Sequence, residues 1–252
     1  MRIDINCDMG ESFGIYRLGE DDQVIRHITS ANIACGFHAG DPSVMAWTVA
    51  LAKDHGVCVG AHPGFPDLVG FGRRNLEMEP GRIQHDVLYQ IGALSAFTRA
   101  VGVPLRHVKP HGALYNAAAG SERTAREVVE AVLSFDPELI LFALAGSTLV
   151  DIASARGLRV AREFFPDRAY LADGRLAPRS MEGAVLHDPD RVQARLLKLL
   201  STGRLECIDG REIQLDVDTI CIHGDTAGAA ALAASTRCLL QAHGHEVRPV
   251  FS

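Results

Sequence analysis

The sequence predicts an α/β protein whose parallel strands close, or nearly close, into a barrel wrapped in helices. Short apolar runs alternate with longer segments of helical periodicity along the chain, which is typical of a parallel sheet with helical crossovers. Seven such units fit into 252 residues, a length at which α/β barrels commonly form one domain. No linker rich in proline or serine interrupts the pattern, so we expect a single domain over residues 1–252.

The seven predicted strands are short and bounded by turn or polar residues. They cover residues 3–7, 30–35, 57–61, 105–109, 139–144, 159–164 and 219–223. The polar stretch 206–218 before the last strand is expected to form a small hairpin or an insertion. Residues 65–79 are rich in glycine, proline and arginine, and we expect a long loop there of the kind that serves as a lid or binding loop.

Six helices are predicted between the strands. The first begins at Asp41 and Pro42, an N-cap residue followed by proline at the first helical position, and extends to about residue 55. The others cover approximately residues 80–101, 121–134, 147–155, 188–201 and 226–243. Gly157, Gly203 and Gly244 provide plausible C-terminal stops for three of these segments.

The first strand has one polar face. Asp4, Asn6 and Asp8 alternate with apolar residues, and the same alternation recurs in the fourth and last predicted strands. In a barrel wrapped by helices the apolar face packs outward, so the polar face points into the interior. Buried polar groups are costly unless they pair with each other or with a ligand. We therefore expect a polar interior that serves a site.

The side chains suited to acid–base and binding chemistry follow the ends of six of the seven strands. Because active sites of parallel barrels lie at the carboxyl ends of the strands, we expect these residues to share one site. They are Asp8 and Glu11, His38 and Asp41, His62 and Asp67, Lys109 and His111, Glu163, Asp167 and Arg168, and His223 and Asp225.

Several of these residues also have a purely structural interpretation. Asp41 and Asp225 each precede a predicted helix, so each could be an N-cap residue or a ligand contact. Asp4 lies deeper in its strand and could pair with Lys109. Cys35 could act as a nucleophile with a nearby histidine, although a small residue filling a strand end is the simpler explanation. Arg73 and Arg74 are either solvated or bind phosphate.

Composition excludes several classes of function. The net charge of −6 and the lack of a basic run argue against a nucleic-acid partner. The six cysteines form no CxxC pair and indicate small buried groups in a reducing compartment. No leader-like N-terminus and no apolar run long enough to span a membrane is present, so we expect a cytoplasmic protein without a membrane partner. P-loop, dinucleotide-binding and nucleophile-elbow motifs are absent.

Six motifs resemble the lactam-utilisation family across nearly the whole chain. They are DINCDMGE, SANIACGFHAGDP, GAHPGFPD, HVKPHGALYN, EFFPDRAY and ICIHGD. The resemblance implies an irregular seven-stranded (β/α) barrel similar to the glycoside hydrolase/deacetylase superfamily. It also implies ATP-dependent 5-oxoprolinase activity, in which 5-oxo-L-proline is opened to L-glutamate while ATP becomes ADP and phosphate. ATP with Mg²⁺ would be the co-substrate, and the chain would be the A component working with separate B and C subunits.

The matching positions imply two groups of site residues. The catalytic group would be Asp8, His38, Lys109, His111, Glu163 and His223, with the general base among Asp8, Glu163 and His111. The substrate-binding group would be Asn6, Glu11, Asp41, His62, Asp167, Arg168 and Asp225. Lys109 and Arg168, with Arg73 and Arg74, would supply positive charge for a transferring phosphoryl group.

Two alternatives remain open from the residues alone. Asp8, His38 and His62 could hold a divalent ion that activates water, as in a metal-dependent amidohydrolase or deacetylase, although their spacing matches no short metal signature. The chain could instead be a non-catalytic subunit that binds the lactam for a partner, although a small ligand needs fewer acid–base groups.

Overall fold

The computed structural model describes residues 1–224 and 228–250. Strands and helices alternate along most of this length. In chain order they are β1 (Arg2–Met9), α1 (Asp21–Val24), the 3₁₀ turn Ile25–His27, β2 (Ser30–Ala34), α2 (Pro42–Asp54), β3 (Cys58–His62), α3 (Arg82–Val101), β4 (Leu105–Val108), α4 (Gly112–Gly120), α5 (Glu122–Phe135), β5 (Ile140–Leu144), α6 (Thr148–Ala155), β6 (Arg159–Phe164), α7 (Pro189–Thr202), β7 (Arg204–Glu206), β8 (Glu212–Gln214), β9 (Thr219–Ile222), α8 (Ala229–Ala242) and β10 (Glu246–Val247).

Seven parallel strands close into a barrel, which confirms the predicted fold class. β1 to β6 pair in sequential order, and β9 then lies between β6 and β1. Closure rests on the register that sets Asp4 to Cys7 of β1 against Thr219 to Ile222 of β9. The short strand β10 pairs in parallel with the beginning of β1. Because the barrel is closed, the carboxyl ends of these seven strands surround one opening.

The helices differ from the prediction in two places. α1 and α4 were not expected, because their short sequences carry glycine and proline nearby and too few turns for periodicity to show. α4 places an alanine-rich face against the barrel immediately after β4, with Ala113 and Ala118 buried. The predicted small hairpin is confirmed by the antiparallel pair β7 and β8. No helix in residues 1–224 and 228–250 is long and apolar enough to cross a membrane.

The two faces of the barrel strands differ in chemistry. On β1, Ile3, Ile5 and Cys7 are fully buried in the apolar core between the strands and the helices. Asp4 lies on the opposite face and is also fully buried. The predicted pairing of Asp4 with Lys109 is wrong, because its carboxylate instead accepts hydrogen bonds from three hydroxyl groups, those of Thr29 (2.6 Å), Ser30 (2.7 Å) and Thr219.

Side-chain hydrogen bonds fill the barrel interior above Asp4. Asn32 donates to Asn6 Oδ1 at 2.7 Å, and His107 Nε2–H donates to Asn32 Oδ1 at 2.8 Å. The His107 ring stacks on Phe142 with 4.2 Å between ring centroids. Gly60 of β3 leaves the space that this ring occupies, since a Cβ there would lie 2.1 Å from the imidazole. The interior is thus a packed polar layer on which the site rests.

Candidate active site

A cavity of about 520 Å³ opens at the carboxyl ends of the barrel strands. Its walls come from residues at or after the carboxyl ends of β1, β3, β4, β5, β6 and β9, and these include the long loop between β3 and α3 and helix α4. Seven of the predicted site residues line it, namely Asp8, Glu11, His62, Lys109, His111, Arg168 and His223. The structure therefore brings together residues that are up to 215 positions apart in the sequence.

The floor of the cavity is an ion-pair network around Lys109. Its ammonium lies 2.8 Å from Asp8 Oδ1 and 3.0 Å from Glu163 Oε1, and it is only 2% exposed. It also donates to Cys221 Sγ at 3.0 Å and to Asn6 Oδ1 at 3.3 Å. An ammonium has three hydrogen-bond donors, so these contacts occupy it fully. Lys109 consequently holds the carboxylates in place rather than facing an incoming ligand.

The charges in this network stabilise each other. Burial alone would raise the pKa of Asp8, but His62 and Lys109 outweigh burial and hold that pKa well below its usual range. Burial alone would lower the pKa of Lys109, but Asp8, Cys221 and Glu163 raise that pKa well above its usual range. Asp8 is therefore a carboxylate and Lys109 an ammonium at neutral pH.

Glu163 lies beneath the cavity. It is fully buried and does not line the cavity wall, and its second oxygen accepts a hydrogen bond from the Tyr115 hydroxyl at 2.6 Å. One of its oxygens thus forms an ion pair with Lys109, and the other accepts a hydrogen bond from Tyr115. This arrangement suits a residue that fixes Lys109; Glu163 was one of the three residues predicted as candidates for the general base.

His223 and Asp167 form a hydrogen-bonded pair at the cavity wall. His223 Nδ1 lies 3.0 Å from Asp167 Oδ2. The Asp167 carboxylate stays ionised because His223 outweighs the effect of burial and lowers its pKa. A carboxylate only accepts hydrogen bonds, so Nδ1 carries the proton and Nε2 is left as a proton acceptor. The imidazole stacks on Phe165 at 5.3 Å, which fixes the plane of the ring.

Three imidazoles and one carboxylate form a second cluster beside Asp8. Glu11, His38, His62 and His111 offer ligand atoms that all lie within 4.8 Å of one another, and all four residues are buried. Burial and the neighbouring imidazoles lower the pKa of His38 and of His111 well below the usual range. Nitrogen ligands of this kind can hold a metal ion. The predicted metal set of Asp8, His38 and His62 shares only its two histidines with this cluster.

Four arginines line the cavity. Arg175 forms an ion pair with Asp173, and the other three, Arg73, Arg168 and Arg179, form a positive rim that we call the cationic rim. Arg168 is anchored by hydrogen bonds from its guanidinium to the carbonyls of Ala177 (2.7 Å) and Ala184 (3.3 Å). Arg179 Nη2 reaches to 3.5 Å from His223 Nε2. The rim is suited to an anionic group held next to the His223 imidazole.

Four other predicted site residues lie outside the cavity wall. Asn6 is fully buried inside the barrel, His38 is fully buried behind His111, and Asp167 supports His223 from outside. Asp41 caps α2 by accepting from the backbone N–H groups of Ser43 and Val44, and it does not line this cavity. Asp225, the remaining predicted residue, lies outside the described residues.

Contacts in the structure bear on two of the alternatives raised by the sequence. Cys35 is buried, donates to the carbonyl of Ile33 at 3.1 Å, and has its pKa raised to about 12 by burial, so it is a neutral thiol and a poor nucleophile. Arg74 forms an ion pair with Asp67 inside the long loop, whereas Arg73 lies over the Phe71 ring at 4.9 Å and faces the cavity.

The predicted site residues leave out four residues on which the site depends. Asn32 and His107 build the layer below Asp8, Tyr115 supports Glu163, and Arg179 completes the cationic rim. The alternation predicted for the fourth strand already indicated an inward His107, and the same period-two pattern in the second strand could have indicated an inward Asn32. Arg179 lies in a long irregular segment between β6 and α7, and no sequence signal there pointed to the cavity.

Comparison with known proteins assigns the family. The model of the LamB/YcsF family matches residues 3–252. The chain belongs to the LamB/YcsF family. A protein from Syntrophobacter fumaroxidans, named as the A subunit of 5-oxoprolinase, is 63% identical over 98% of this chain and 98% of its own length. Another of the same name from Heliobacterium modesticaldum is 53% identical over 100% and 99% of the two chains.

Solved structures agree with this LamB/YcsF assignment. A lactam utilization protein from Thermus thermophilus superimposes with a TM-score of 0.93 at 50% identity, covering 99% of this chain and 100% of that one. The catalytic domain of a peptidoglycan N-acetylglucosamine deacetylase from Eubacterium rectale is 11% identical, with a TM-score of 0.51 over 99% and 88% of the chains. The second likeness shows a shared barrel fold.

Proposed function

We propose that this chain is the A component of an ATP-dependent 5-oxoprolinase, a cytoplasmic enzyme that opens 5-oxo-L-proline to L-glutamate while ATP is converted to ADP and phosphate. The full-length relatives that carry the name of this 5-oxoprolinase component support the assignment. The observation that carries it in this chain is one cavity that combines a cationic rim with the His223–Asp167 pair and the Asp8 carboxylate. The relatives' name also implies partners, which we propose are separate B and C subunits.

The cavity suits a small anionic lactam. A five-membered ring bearing one carboxylate occupies only part of about 520 Å³, which leaves room for water and for a transferring phosphoryl group. We place the substrate carboxylate, or the phosphoryl group, against the cationic rim. Arg168 suits this role because its guanidinium is already fixed by two backbone carbonyls and therefore loses little freedom when an anion binds.

The reaction needs activation of an unreactive amide. Transfer of the terminal phosphoryl group of ATP, accompanied by Mg²⁺, to the lactam oxygen makes the ring carbonyl carbon electrophilic. Water then adds to that carbon and gives up a proton. The carbon–nitrogen bond breaks as the ring nitrogen gains a proton, and a second water hydrolyses the resulting acyl phosphate to L-glutamate and phosphate.

His223 is the proton acceptor that we assign to the attacking water. Asp167 holds the proton on Nδ1, so Nε2 faces the cavity as a base. When Nε2 takes the proton, the neighbouring carboxylate stabilises the imidazolium that forms. The same imidazolium can return its proton to the ring nitrogen as the bond breaks. General acid–base catalysis of this kind contributes about 10²–10⁴-fold to a rate.

Asp8 has a positioning role toward the ligand. Lys109 and Asn32 both donate to Asp8 Oδ1, at 2.8 and 2.9 Å, which orients the carboxylate. An ionised carboxylate at the cavity floor can accept a hydrogen bond from the attacking water or from the lactam N–H. Its lowered pKa makes it a weaker base than an imidazole, which is why we assign proton transfer to His223 and not to Asp8.

The experiment is an assay of L-glutamate release from 5-oxo-L-proline. The purified chain is tested alone and with the B and C subunits, each with and without ATP and Mg²⁺. We expect release only with ATP and the partner subunits, together with one phosphate per glutamate. Absence of glutamate in every combination, while the complex assembles, would contradict the proposed function.

A further inference from the structure

The cluster of Glu11, His38, His62 and His111 has the geometry of a metal centre. His111 Nδ1 lies 3.0 Å from His62 Nε2 and 3.5 Å from Glu11 Oε1. An ion with tetrahedral bonds of about 2.0–2.1 Å keeps its ligand atoms roughly 3.3 Å apart. These two separations bracket that value, and the ligand atoms of His62 and Glu11 lie within 4.8 Å of each other.

The outer nitrogens of two rings fix which nitrogen faces the cluster. His62 Nδ1 donates to the carbonyl of Lys109 at 2.7 Å, and His111 Nε2 donates to the carbonyl of Phe71 at 2.8 Å. A carbonyl only accepts hydrogen bonds, so the proton of each neutral ring lies on the outer nitrogen. The inner nitrogens therefore present lone pairs. Metal-bound histidines are commonly oriented by this kind of outer hydrogen bond.

Several ligand atoms converge at one point. His62 Nε2 faces His111 Nδ1 at 3.0 Å and Asp8 Oδ2 at 3.4 Å, while Glu11 Oε1 approaches His111 from the other side. A divalent cation at this point would have the two inner imidazole nitrogens and one Glu11 oxygen as ligands.

The surrounding backbone is shaped to hold the rings together. Gly72 has a left-handed backbone (φ 62°), and a Cβ there would lie 2.7 Å from His38 Cβ and 2.8 Å from His111 Cδ2. Phe71, beside it, also has a positive φ of 54°, unlike any other non-glycine residue that the structure describes. Phe71, which has this backbone conformation, is also the residue whose carbonyl accepts the hydrogen bond from His111. An unfavourable backbone of this kind is retained where it has a purpose.

His38 has a different position from the other two histidines. Its ring is parallel to that of His111, with 3.7 Å between centroids, so the two in-plane lone pairs cannot both point at one ion. His38 Nε2 lies 3.3 Å from Glu11 Oε1 and can donate to it. His38 does not line the cavity, whereas Glu11, His62 and His111 do. His38 is therefore the residue that orients the glutamate.

We propose that Glu11, His62 and His111 bind one divalent transition-metal ion of the Zn²⁺ class, with His38 positioning Glu11 and with an open coordination position toward the cavity. Two imidazoles and one carboxylate match the ligands that Zn²⁺ takes in catalytic sites, where a fourth position stays open. Mg²⁺ prefers an all-oxygen shell, so this site is distinct from the ion that accompanies ATP. The proposal does not depend on the proposed function.

The test measures metal binding directly. The chelator-treated chain is dialysed against Zn²⁺ or Co²⁺, and metal content, the visible absorption of Co²⁺ and the midpoint of thermal unfolding are recorded. We expect one ion per chain, a Co²⁺ spectrum of low coordination number and a higher unfolding midpoint for the unsubstituted chain. Mg²⁺ should produce neither the uptake nor the shift in midpoint.

Variants locate the ion. His62→Ala, His111→Ala and Glu11→Gln should each lose stoichiometric uptake, and His38→Ala should weaken affinity about 10–100-fold. His85→Ala is the matched control, because His85 is exposed on α3. No uptake by the unsubstituted chain would overturn the proposal. Uptake that persists undiminished in folded His62→Ala and His111→Ala variants would also overturn it.

Discussion

At the scale of single residues, the site separates groups that face the cavity from groups that hold them. His223 and Asp8 line the cavity, whereas Asp167 and Glu163 contact them or their partners from behind. The sequence predicted that all four belong to one site, because each follows the end of a barrel strand. It could not rank them, because which side chain reaches the opening depends on strand register and on the loop after β6.

Asp167 is expected to act through the tautomer of His223. In Asp167→Asn the side-chain amide can donate to Nδ1, which moves the ring proton to Nε2 and removes the base. We expect kcat to fall by roughly 10²–10⁴-fold while KM for 5-oxo-L-proline changes little. Steady-state kinetics of the assembled complex check this. Asp167→Glu, which keeps the carboxylate, should recover part of kcat; equal losses in both variants would contradict the tautomer argument.

At the scale of single elements, one helix end and one loop show how the chain positions the cavity. α2 begins at the residue that the sequence predicted, because Asp41 is followed by proline and its side chain accepts two helical N–H groups. The assignment of Asp41 to substrate binding came from its place after a strand end, and in the structure its carboxylate is directed to the helix and to Gly14 N–H at 2.7 Å.

Asp41→Ala is therefore expected to affect stability and not binding. Loss of an N-cap costs about 0.5–2 kcal/mol of unfolding free energy, and the lost bond to Gly14 acts in the same direction. Denaturant unfolding measures this loss, with Asp41→Asn as the control that keeps most of the cap. A KM for 5-oxo-L-proline that rises tenfold or more in Asp41→Asn would instead indicate a ligand contact.

The conformation of the loop between β3 and α3 is held by contacts of Asp67 within the loop, which we call the clasp. Arg74 Nε donates to Asp67 Oδ2 at 3.0 Å, and Asp67 also accepts from Gly70 N–H at 2.9 Å. The hydrogen bonds from Arg74 lower the pKa of Asp67 to about 2. Because this pKa is depressed, the clasp is fully formed above the ordinary aspartate pKa of 3.8 and is lost only as the pH falls through about 2.

Opening the clasp should loosen the segment that carries Phe71 and Arg73. In Asp67→Asn we expect faster hydrogen exchange of the backbone amides at 70–73 and a weaker hold of the Phe71 carbonyl on His111. Hydrogen exchange followed by mass spectrometry checks the first effect. The exposed Glu79→Gln, farther along the same loop, is the control. Unchanged exchange at 70–73 in Asp67→Asn would show that the loop is held by other contacts.

At the scale of the whole molecule, the closed barrel could be predicted from the sequence, whereas the contacts inside it could be predicted only in part. The period-two alternation of β1 indicated inward Asp4 and Asn6, and the strand count indicated closure. The partners of these residues were not predictable, because β1 meets β9 through a register that no local pattern encodes. Asp4 consequently contacts Thr219 across the closing seam, and not the predicted Lys109.

Burial of Asp4 at this seam gives the fold a specific dependence on pH. Desolvation raises the pKa of Asp4 to about 6, despite the three hydroxyl donors. The folded state then binds the proton more tightly than the unfolded state, so the contribution of Asp4 to stability is fully present below pH 3.8 and is lost as the pH rises through about 6. A shift of this size corresponds to about 3 kcal/mol.

Asp4→Asn should remove that contribution. Urea unfolding between pH 4 and pH 7 is expected to show a smaller decline in stability with rising pH for Asp4→Asn than for the unsubstituted chain. Burial also raises the pKa of Asp21 to about 6. Because Asp21 is present in both proteins, its effect on stability cancels in the comparison. Asp54→Asn on the exposed end of α2 is the control. If stability changed with pH in the same way in all three proteins, this would contradict the assignment of the pH dependence to Asp4.

The central claim is that the lactam is opened in the cavity of this chain, with His223 as the proton acceptor. The most direct measurement is single-turnover formation of L-glutamate by the assembled complex containing His223→Gln, with 5-oxo-L-proline binding measured in parallel and His85→Gln as the control. The account predicts a rate about 10²–10⁴-fold lower than that of the unsubstituted complex, with Kd changed by no more than a few fold. An unchanged rate in a correctly assembled complex would place the chemistry in one of the partner subunits and contradict the account.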